Sequence, residues 1–208
     1  VDQEDLPYFD KIDSLKEQNL ATWSLTNSFI ARNPVENKDG TQSSQYREIV
    51  WLKLYQSYNL IERDENPWSD LSLESEFNPG QYFSMTADID WSPYSNHFTE
   101  TQLGATIRDN RGDSIRTYYR YTRDALETSL DESIETWYTR LNVKVTDSLG
   151  LYCSYEGDLN INENIESVVG INITKACWGL DLEFKDTSAD TSISFMITLN
   201  GIGGFGIQ

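Results

Sequence analysis

Two pairs of carboxylates stand two residues apart in this 208-residue chain, Glu74 with Glu76 and Asp88 with Asp90. In an extended strand, residues i and i+2 point to the same side and lie about 7 Å apart. That separation would suit the acid and the base of an inverting glycosidase. The same side of the chain's extended segments also carries Arg and Lys. We therefore expect these carboxylates to line a polar wall and not to act on a substrate.

The other reactive side chains lack the arrangement that catalysis or metal binding requires. His97 is the single histidine, and a catalytic triad would need it beside a nucleophile and an orienting acid; Ser95 is too near in sequence to be convincing. Cys153 and Cys177 lack metal-ligand spacing. The glycines after residue 200 follow a predicted strand with no helix behind them, unlike a phosphate-binding loop. We expect no enzyme activity, no cofactor and no metal site.

Eleven stretches alternate apolar and polar residues, and they are the elements that must position these groups. The clearest is Phe83–Trp91, in which odd-numbered residues are apolar and even-numbered ones polar. A period of two indicates β-strands, because successive side chains point to opposite sides. We predict strands near residues 20–32, 46–58, 69–78, 82–91, 98–109, 113–123, 134–146, 148–157, 164–174, 177–185 and 191–199.

Strands of about nine to eleven residues are long enough to cross a bilayer when tilted, and no apolar run of helical membrane-spanning length exists. Turns at 78–81, 110–113 and 146–147 are short, whereas 59–68, 124–133 and 157–163 are longer and acidic; 33–45 and 92–96 fit this alternation poorly. Trp and Tyr cluster near strand ends, as in interfacial girdles. We predict an all-β fold: an antiparallel transmembrane β-barrel segment of about eleven strands in a bacterial outer membrane.

Alternation also assigns each side chain to a face of the sheet. The apolar set, predicted to face lipid, is Val50, Leu52, Leu54, Leu71, Leu73, Phe83, Met85, Ile89, Leu103, Ile107, Leu141, Val143, Leu149 and Leu151. The basic members of the polar set, predicted to line the lumen, are Lys53, Arg108, Arg116, Arg120, Arg140 and Lys144. These cations either pair with Glu74, Glu76, Asp88, Asp90 and Glu100 across strands or remain available to an anionic ligand.

The charge balance excludes one class of partner. With 34 acids against 16 bases the net charge is -18, which argues against nucleic acid as a ligand. The first residues show no signal peptide, so for an exported protein we expect a processed or truncated start. A self-contained small outer-membrane channel or enzyme, and a soluble β-sandwich binding module, remain the alternatives.

Several segments in order resemble the barrel region of the LptD family, which assembles lipopolysaccharide in the outer membrane. They are Leu6-Pro7-Tyr8-Phe9-Asp10-Lys11-Ile12-Asp13 with Asn19 and Leu25-Thr26-Asn27, then Asp90-Trp91-Ser92-Pro93-Tyr94, Arg108-Asp109-Asn110-Arg111-Gly112-Asp113, Tyr119-Arg120-Tyr121-Thr122-Arg123-Asp124, Ile165-Glu166-Ser167-Val168-Val169-Gly170, Ala176-Cys177-Trp178-Gly179 and Ile197-Thr198-Leu199-Asn200-Gly201-Ile202-Gly203-Gly204.

The resemblance implies a component of the translocon that inserts lipopolysaccharide into the outer leaflet through a luminal path and a lateral gate. Residues 1–208 would be the C-terminal part of the barrel domain, without the N-terminal periplasmic jellyroll and the first strands. The implied partners are lipopolysaccharide, an LptE-type lipoprotein plug, a periplasmic LptA-type bridge reached through the jellyroll, and the barrel-insertion machinery.

The resemblance also gives roles to two elements. The strand at 191–199 would be the last one, and its inward residues Ser192, Ser194, Met196 and Thr198 would form one side of the gate. Cys177 would join a cysteine of the N-terminal periplasmic region, where many relatives carry two adjacent cysteines. Parity places Cys153 outward and Cys177 inward on strands two apart, too far for a bridge between them.

Overall fold

The computed structural model describes residues 19–36, 42–61, 66–123 and 133–199, and the backbone of 203–207. The strands are β1 (Leu20–Glu36), β2 (Gln42–Asn59), β3 (Leu71–Phe77), β4 (Phe83–Ser92), β5 (His97–Arg108), β6 (Ser114–Thr122), β7 (Ile134–Thr146), β8 (Leu149–Asp158), β9 (Glu163–Thr174), β10 (Trp178–Thr187), β11 (Thr191–Leu199) and β12 (Gly203–Ile207). The acidic residues before 18, the segment 6–13, and parts of the acidic connections (62–65 and 124–132) lie outside the described residues.

The strands form one sheet in which every neighbour is the next strand in sequence and every pair is antiparallel. Within the described ranges β1 and β12 each pair on one side only, so the sheet has two edges. This order is that of an up-and-down barrel wall. The predicted fold class, an antiparallel β-barrel segment of about eleven strands, is confirmed, with one short strand added.

The register confirms the predicted faces. Directly opposite residues share a face, and Leu73 stands opposite both Leu54 and Ile89, whereas Glu74 stands opposite both Lys53 and Asp88. Followed from β2 to β9, all of the residues predicted to face lipid lie on the first side, here called the outward face, and all six predicted basic residues lie on the other, the inward face.

Neither face of the sheet is covered by another described part of the chain. Val168 is the single hydrophobic residue that is buried there, whereas Leu103, Leu141 and Leu151 on the outward face are 40–42% exposed. A β-sandwich would bury its apolar face against a second sheet, so the sandwich alternative is wrong. Across the ranges described, no helix has the length and apolarity needed to span a membrane.

Two predicted connections are wrong in the same way. The sequence predicts a long connection at residues 33–45, but β1 continues to Glu36 and β2 begins at Gln42. Pro34 lies inside β1, opposite Ser44; proline is tolerated there because, within the described residues, β1 pairs on one side only. The sequence also predicts a longer loop at residues 157–163, but β8 and β9 extend until only the turn at 159–162 remains.

The two longest connections lie at the same end of the strands, together with short ones at 93–96, 159–162 and 188–190. The connections after β2 and β6 contain eleven residues each, 60–70 and 123–133, and we call their end the long-loop edge. The other end, the short-turn edge, has connections of five residues or fewer, including 109–113 and 147–148. Exposed aromatic side chains lie near both edges: Trp23, Trp68, Phe98 and Trp137 near the long-loop edge, and Tyr46, Tyr82 and Trp178 near the short-turn edge.

Four β-bulges interrupt the regular pairing of the described strands. They lie at Phe29/Ile30 in the β1–β2 pair, Asp90/Trp91 in β4–β5, Lys144/Thr146 in β7–β8 and Glu156/Gly157 in β8–β9. Each sets two residues of one strand against one of its neighbour, which strengthens the local twist. Twist of this kind curves a sheet toward barrel closure.

Candidate functional site: the inward face

The charged residues of the inward face separate into zones, which alternation alone does not reveal. On β3, β4 and β5 the zone is acidic, and it contains Glu74 opposite Asp88 and Asp90 opposite Glu100. Like charges placed directly opposite each other destabilise a sheet. Attraction between the paired side chains therefore does not explain why these acids stand opposite each other. Among the described residues no cluster of His, Cys, Asp or Glu has the geometry to hold a metal ion.

The basic zone lies on the next strands. Arg108 ends β5, Arg116 and Arg120 lie on β6, and Arg140 and Lys144 lie on β7. Arg116 stands directly opposite Arg140, and Arg120 stands opposite Gln102 and Thr136. None of the acids that the sequence offered as cross-strand partners stands directly opposite these arginines, and only Glu100 is diagonal to one of them, Arg120.

Contacts of the six basic side chains show which of them are neutralised. Lys53 Nζ lies 3.1 Å from a Glu74 carboxylate oxygen, as expected for a cross-strand pair, and Lys144 Nζ lies 2.7 Å from Asp147 in the following turn. Arg140 Nε donates to Asn142 Oδ1 at 3.1 Å, and its guanidinium lies 4.6 Å from the centre of the Tyr152 ring.

The other three, Arg108, Arg116 and Arg120, are exposed. Within residues 19–36, 42–61, 66–123 and 133–199 none of them makes a side-chain hydrogen bond or an ion pair. Of the six basic residues, only Lys53 therefore pairs across strands with one of the predicted acids in the described part of the chain. The three free guanidinium groups are available to an anion, because each presents several N–H donors that carboxylate and phosphate oxygens accept.

A second acidic zone lies beyond the arginines, on β8, β9 and β10. The Tyr152 hydroxyl is a donor shared between Asp181, at 2.7 Å, and Glu183, at 3.0 Å, and Lys185 forms an ion pair with Glu166. Gly170, opposite Tyr152 on β9, leaves the space that the tyrosine ring fills. Sequence analysis missed this network, because the pairing of Tyr152 with residues on β10 depends on the strand register.

The predicted gate residues lie on the inward face of β11. Ser192, Ser194, Met196 and Thr198 stand opposite inward residues of β10, such as Glu183 opposite Ser194. The prediction that 191–199 is the last strand is wrong, because β12 pairs with it from Phe195 to Leu199. The glycine-rich segment Gly203–Ile207 forms this strand, since ladder hydrogen bonds are made by the backbone and glycine can make them.

Both cysteines are free and exposed. Cys153 lies on the outward face of β8, opposite Leu141 and Val169, as predicted, and β9 separates its strand from β10. The sequence predicts that Cys177 begins a strand and faces inward. That is wrong, because β10 begins at Trp178 and Cys177 lies in the turn before it, at the short-turn edge.

His97 begins β5 at the long-loop edge. Its Nε2 lies 3.4 Å from Ser95 Oγ and its Nδ1 lies 3.3 Å from the Ser95 carbonyl oxygen. Both distances are long for hydrogen bonds. No carboxylate of the described residues contacts the imidazole, so the orienting acid of a triad is missing in this part of the chain.

Two turn carboxylates at the short-turn edge have perturbed pKa values. Desolvation raises the pKa of Asp109, but three backbone N–H donors, of Asp113, Arg111 and Gly112, together lower it below its usual value. Gly112 supplies the positive φ that this turn needs, +101°. Lys144 lowers the pKa of Asp147 through a hydrogen bond and its charge. Both carboxylates are ionised at neutral pH and close the turns that they occupy.

An antiparallel sheet with an uncovered apolar face, a charged opposite face and aromatic side chains at a strand end has the features of a membrane β-barrel wall. The protein is thus a barrel-wall segment. A family model described as "LptD: LPS transport system D" matches residues 2–162, and the chain belongs to this family.

A curated relative agrees. The LPS-assembly protein LptD of Photobacterium profundum is 21% identical over 185 residues, which cover 76% of this chain and 23% of that protein. The chain therefore spans about a quarter of the length of the relative it matches. The family description names lipopolysaccharide transport, and the name of this relative refers to lipopolysaccharide assembly.

Proposed function

We propose that this chain forms part of the wall of an outer-membrane translocon, along whose inward face lipopolysaccharide passes to a lateral gate, and that it has no catalytic role. The observation that carries the proposal is that Arg108, Arg116 and Arg120 have no partner in the described chain although acids are abundant. Lipopolysaccharide bears phosphate groups, and guanidinium binds phosphate in a charge-assisted, bidentate manner. The opposite face, which is apolar, suits lipid.

Loop lengths support an orientation for this wall. Outer-membrane barrels have short periplasmic turns and longer extracellular loops, so the short-turn edge is assigned to the periplasm. Cys177 lies at the short-turn edge, in a compartment that favours disulfides.

Cys177 is proposed to join a cysteine of the N-terminal periplasmic region of the full-length protein, while Cys153 lies in the lipid-facing row. Cys177→Ser should impair assembly of the full-length protein, whereas Cys153→Ser should leave it intact. Non-reducing gels of each variant would show the loss of the cross-link. A Cys177 thiol that reacts freely with a maleimide in the mature protein would refute the assignment.

The gate is proposed at the end of the sheet formed by β11 and β12. Ser192, Ser194, Met196 and Thr198 line its inward side. In a closed barrel this end would meet the first barrel strand, which is proposed to lie earlier in the full-length protein. The remaining proposed partners are an LptE-type lipoprotein plug, an LptA-type bridge reached through an N-terminal jellyroll, and the barrel-insertion machinery; the family resemblance supports them.

Site-specific photocrosslinking tests the transport path. Photoreactive residues at Tyr118 and Tyr138, both inward, should capture lipopolysaccharide in cells that express the full-length protein. The same residue at Leu103 or Leu141 on the outward face is the matched control and should capture membrane phospholipid without newly made lipopolysaccharide. Absence of adducts at every inward position would contradict the proposal.

A further inference from the structure

Building on the proposed function, we infer that a groove on the inward face of β5–β8 is a binding site for an anionic saccharide, the sugar part of the cargo. A sugar ring stacks on Tyr118 and Tyr138, and its anionic substituent binds Arg116 and Arg140.

Tyr118 and Tyr138 form the platform of the groove. They stand directly opposite each other on β6 and β7, with ring centroids 6.2 Å apart and planes inclined by 36°. The Tyr118 ring lies over Gly104 of β5, so close that a Cβ there would be 2.9 Å from it. With one side against the sheet and 43% of the residue exposed, Tyr118 offers its other side to the lumen. Aromatic faces of this kind bind the C–H faces of pyranose rings.

The rim of the groove carries both donors and acceptors. The depression, about 320 Å³, is lined by Gln102, Arg120 and Glu156 beside the two tyrosines. In the described part of the chain the Tyr118 and Tyr138 hydroxyls, the Arg120 guanidinium and the Glu156 carboxylate make no hydrogen bond. A sugar hydroxyl both donates and accepts, so it can use this mixed set. A carboxylate at the rim disfavours a bare phosphate and favours a ligand with donor hydroxyls.

The anion position lies next to the platform. Arg116 and Arg140 are each two residues from a platform tyrosine, on the same strands and the same face, which is about 7 Å along the sheet. Arg140 is held in place by Asn142 and the Tyr152 ring, while Arg116 has no partner among the described residues. Two guanidinium groups that stand opposite each other bind one shared anion favourably, because the anion relieves their mutual repulsion.

The test uses the full-length protein in detergent and two probes: the oligosaccharide released from lipopolysaccharide by complete deacylation, and the same oligosaccharide after dephosphorylation. Binding is measured by calorimetry and by saturation-transfer NMR. We expect the double variant Tyr118→Leu with Tyr138→Leu to weaken binding of both probes at least tenfold. Arg116→Gln with Arg140→Gln should weaken the phosphorylated probe alone. Tyr55→Leu, an inward tyrosine outside the groove, is the control and should change neither.

Failure of this inference and failure of the transport proposal give different results. The saccharide site would be overturned if each probe bound the tyrosine double variant as tightly as it binds the parent protein. It would also be overturned if the parent protein bound neither probe. Lipopolysaccharide adducts at the inward Thr86 and Ser154 would then still support transport along this face. Lack of adducts at all inward positions would overturn both.

Discussion

Arg116 and Arg140 stand directly opposite each other on the inward face of β6 and β7, with no carboxylate paired to either side chain in the described chain. Like charges at such positions destabilise a sheet by a fraction of a kcal/mol. The inward carboxylate on the adjacent strand β8, Glu156, stands opposite Tyr138 and not opposite Arg140. The arrangement is therefore unfavourable for the empty wall and favourable when an anion is bound between the two guanidinium groups.

The first prediction separates stability from transport. Arg116→Gln should stabilise the barrel by about 0.2–1 kcal/mol, because it removes repulsion from Arg140, and should slow lipopolysaccharide delivery. Lys53→Gln should destabilise the barrel by a similar amount, because it breaks the ion pair with Glu74. Urea unfolding of the refolded barrel in lipid measures both. Changes of the same sign in the two variants would contradict the assignment of paired and unpaired cations.

The second prediction concerns the outward face. Met85→Arg or Leu141→Arg should destabilise the barrel by about 2–4 kcal/mol, because the guanidinium would lie near the middle of the bilayer. Thr86→Arg is the matched control on the inward side; it lies opposite Glu76 and should be tolerated. Asn142 also faces inward, but it is a poorer control because its side chain accepts a hydrogen bond from Arg140. Equal losses at Met85 and Thr86, by the same unfolding assay, would refute the faces.

The third prediction concerns Gly170. A Cβ at this position would overlap the Tyr152 ring, and the ring is fixed by the contacts of its hydroxyl with Asp181 and Glu183. Gly170→Ala should therefore cost about 1–3 kcal/mol of stability. Gly150→Ala, whose Cβ would have no neighbour nearer than 3.8 Å, should change stability little. In the background Tyr152→Leu, much of the Gly170→Ala penalty should disappear.

The fourth prediction is a dependence on pH. The pKa of Asp109 is lower in the folded chain than its ordinary value of 3.8. The ionised carboxylate therefore stabilises the turn fully at pH values above 3.8. This contribution is lost as the pH falls through the lowered pKa. Asp109→Asn keeps an oxygen for the backbone N–H groups but cannot titrate. Its unfolding free energy should therefore vary less with pH below about pH 4 than that of the parent. Identical slopes would exclude a role for Asp109.

The fifth prediction tests the end of the sheet. Met196 stands opposite Gly206, and cysteines at opposite positions of neighbouring strands are near enough to form a disulfide. Met196→Cys with Gly206→Cys should cross-link in the assembled full-length barrel. If Ser194→Cys instead cross-links to the first barrel strand and the Met196→Cys/Gly206→Cys pair does not form, the pairing of β11 with β12 does not persist in the closed barrel. Arrest of lipopolysaccharide delivery by either lock would support the gate.

Alternation of residues is sufficient to predict the fold class and the two faces. Leu73 and Glu74 differ in polarity, so a period of two assigns them to opposite sides whatever their partners are. The zones of charge are not predictable in this way. Whether Arg116 meets an acid or another arginine depends on the register between β6 and β7, and no single-strand pattern contains it.

The errors in strand ends have a common cause. Glu36, Gln42 and Asp158 are polar residues that extend strands beyond their apolar alternation. A strand that continues past an apolar band needs only backbone pairing, so side-chain patterns lose their information there. The same holds for β12, in which glycine residues pair through the backbone. The predicted gate residues of β11 keep their inward side, and two of them, Met196 and Thr198, pair with one more strand.

The β-bulges determine where single residues can be inserted into or deleted from the strands. In a strand with one face toward lipid and the other toward water, loss or gain of a single codon would turn every later side chain of that strand to the wrong side. Changes by two codons keep the sides. Single-codon changes are tolerable at Thr99 or Ile165, the unpaired residues opposite Asp90/Trp91 and Glu156/Gly157, because the bulge there already absorbs the offset. Among natural relatives, odd-numbered insertions and deletions within strands should therefore be concentrated at the bulges.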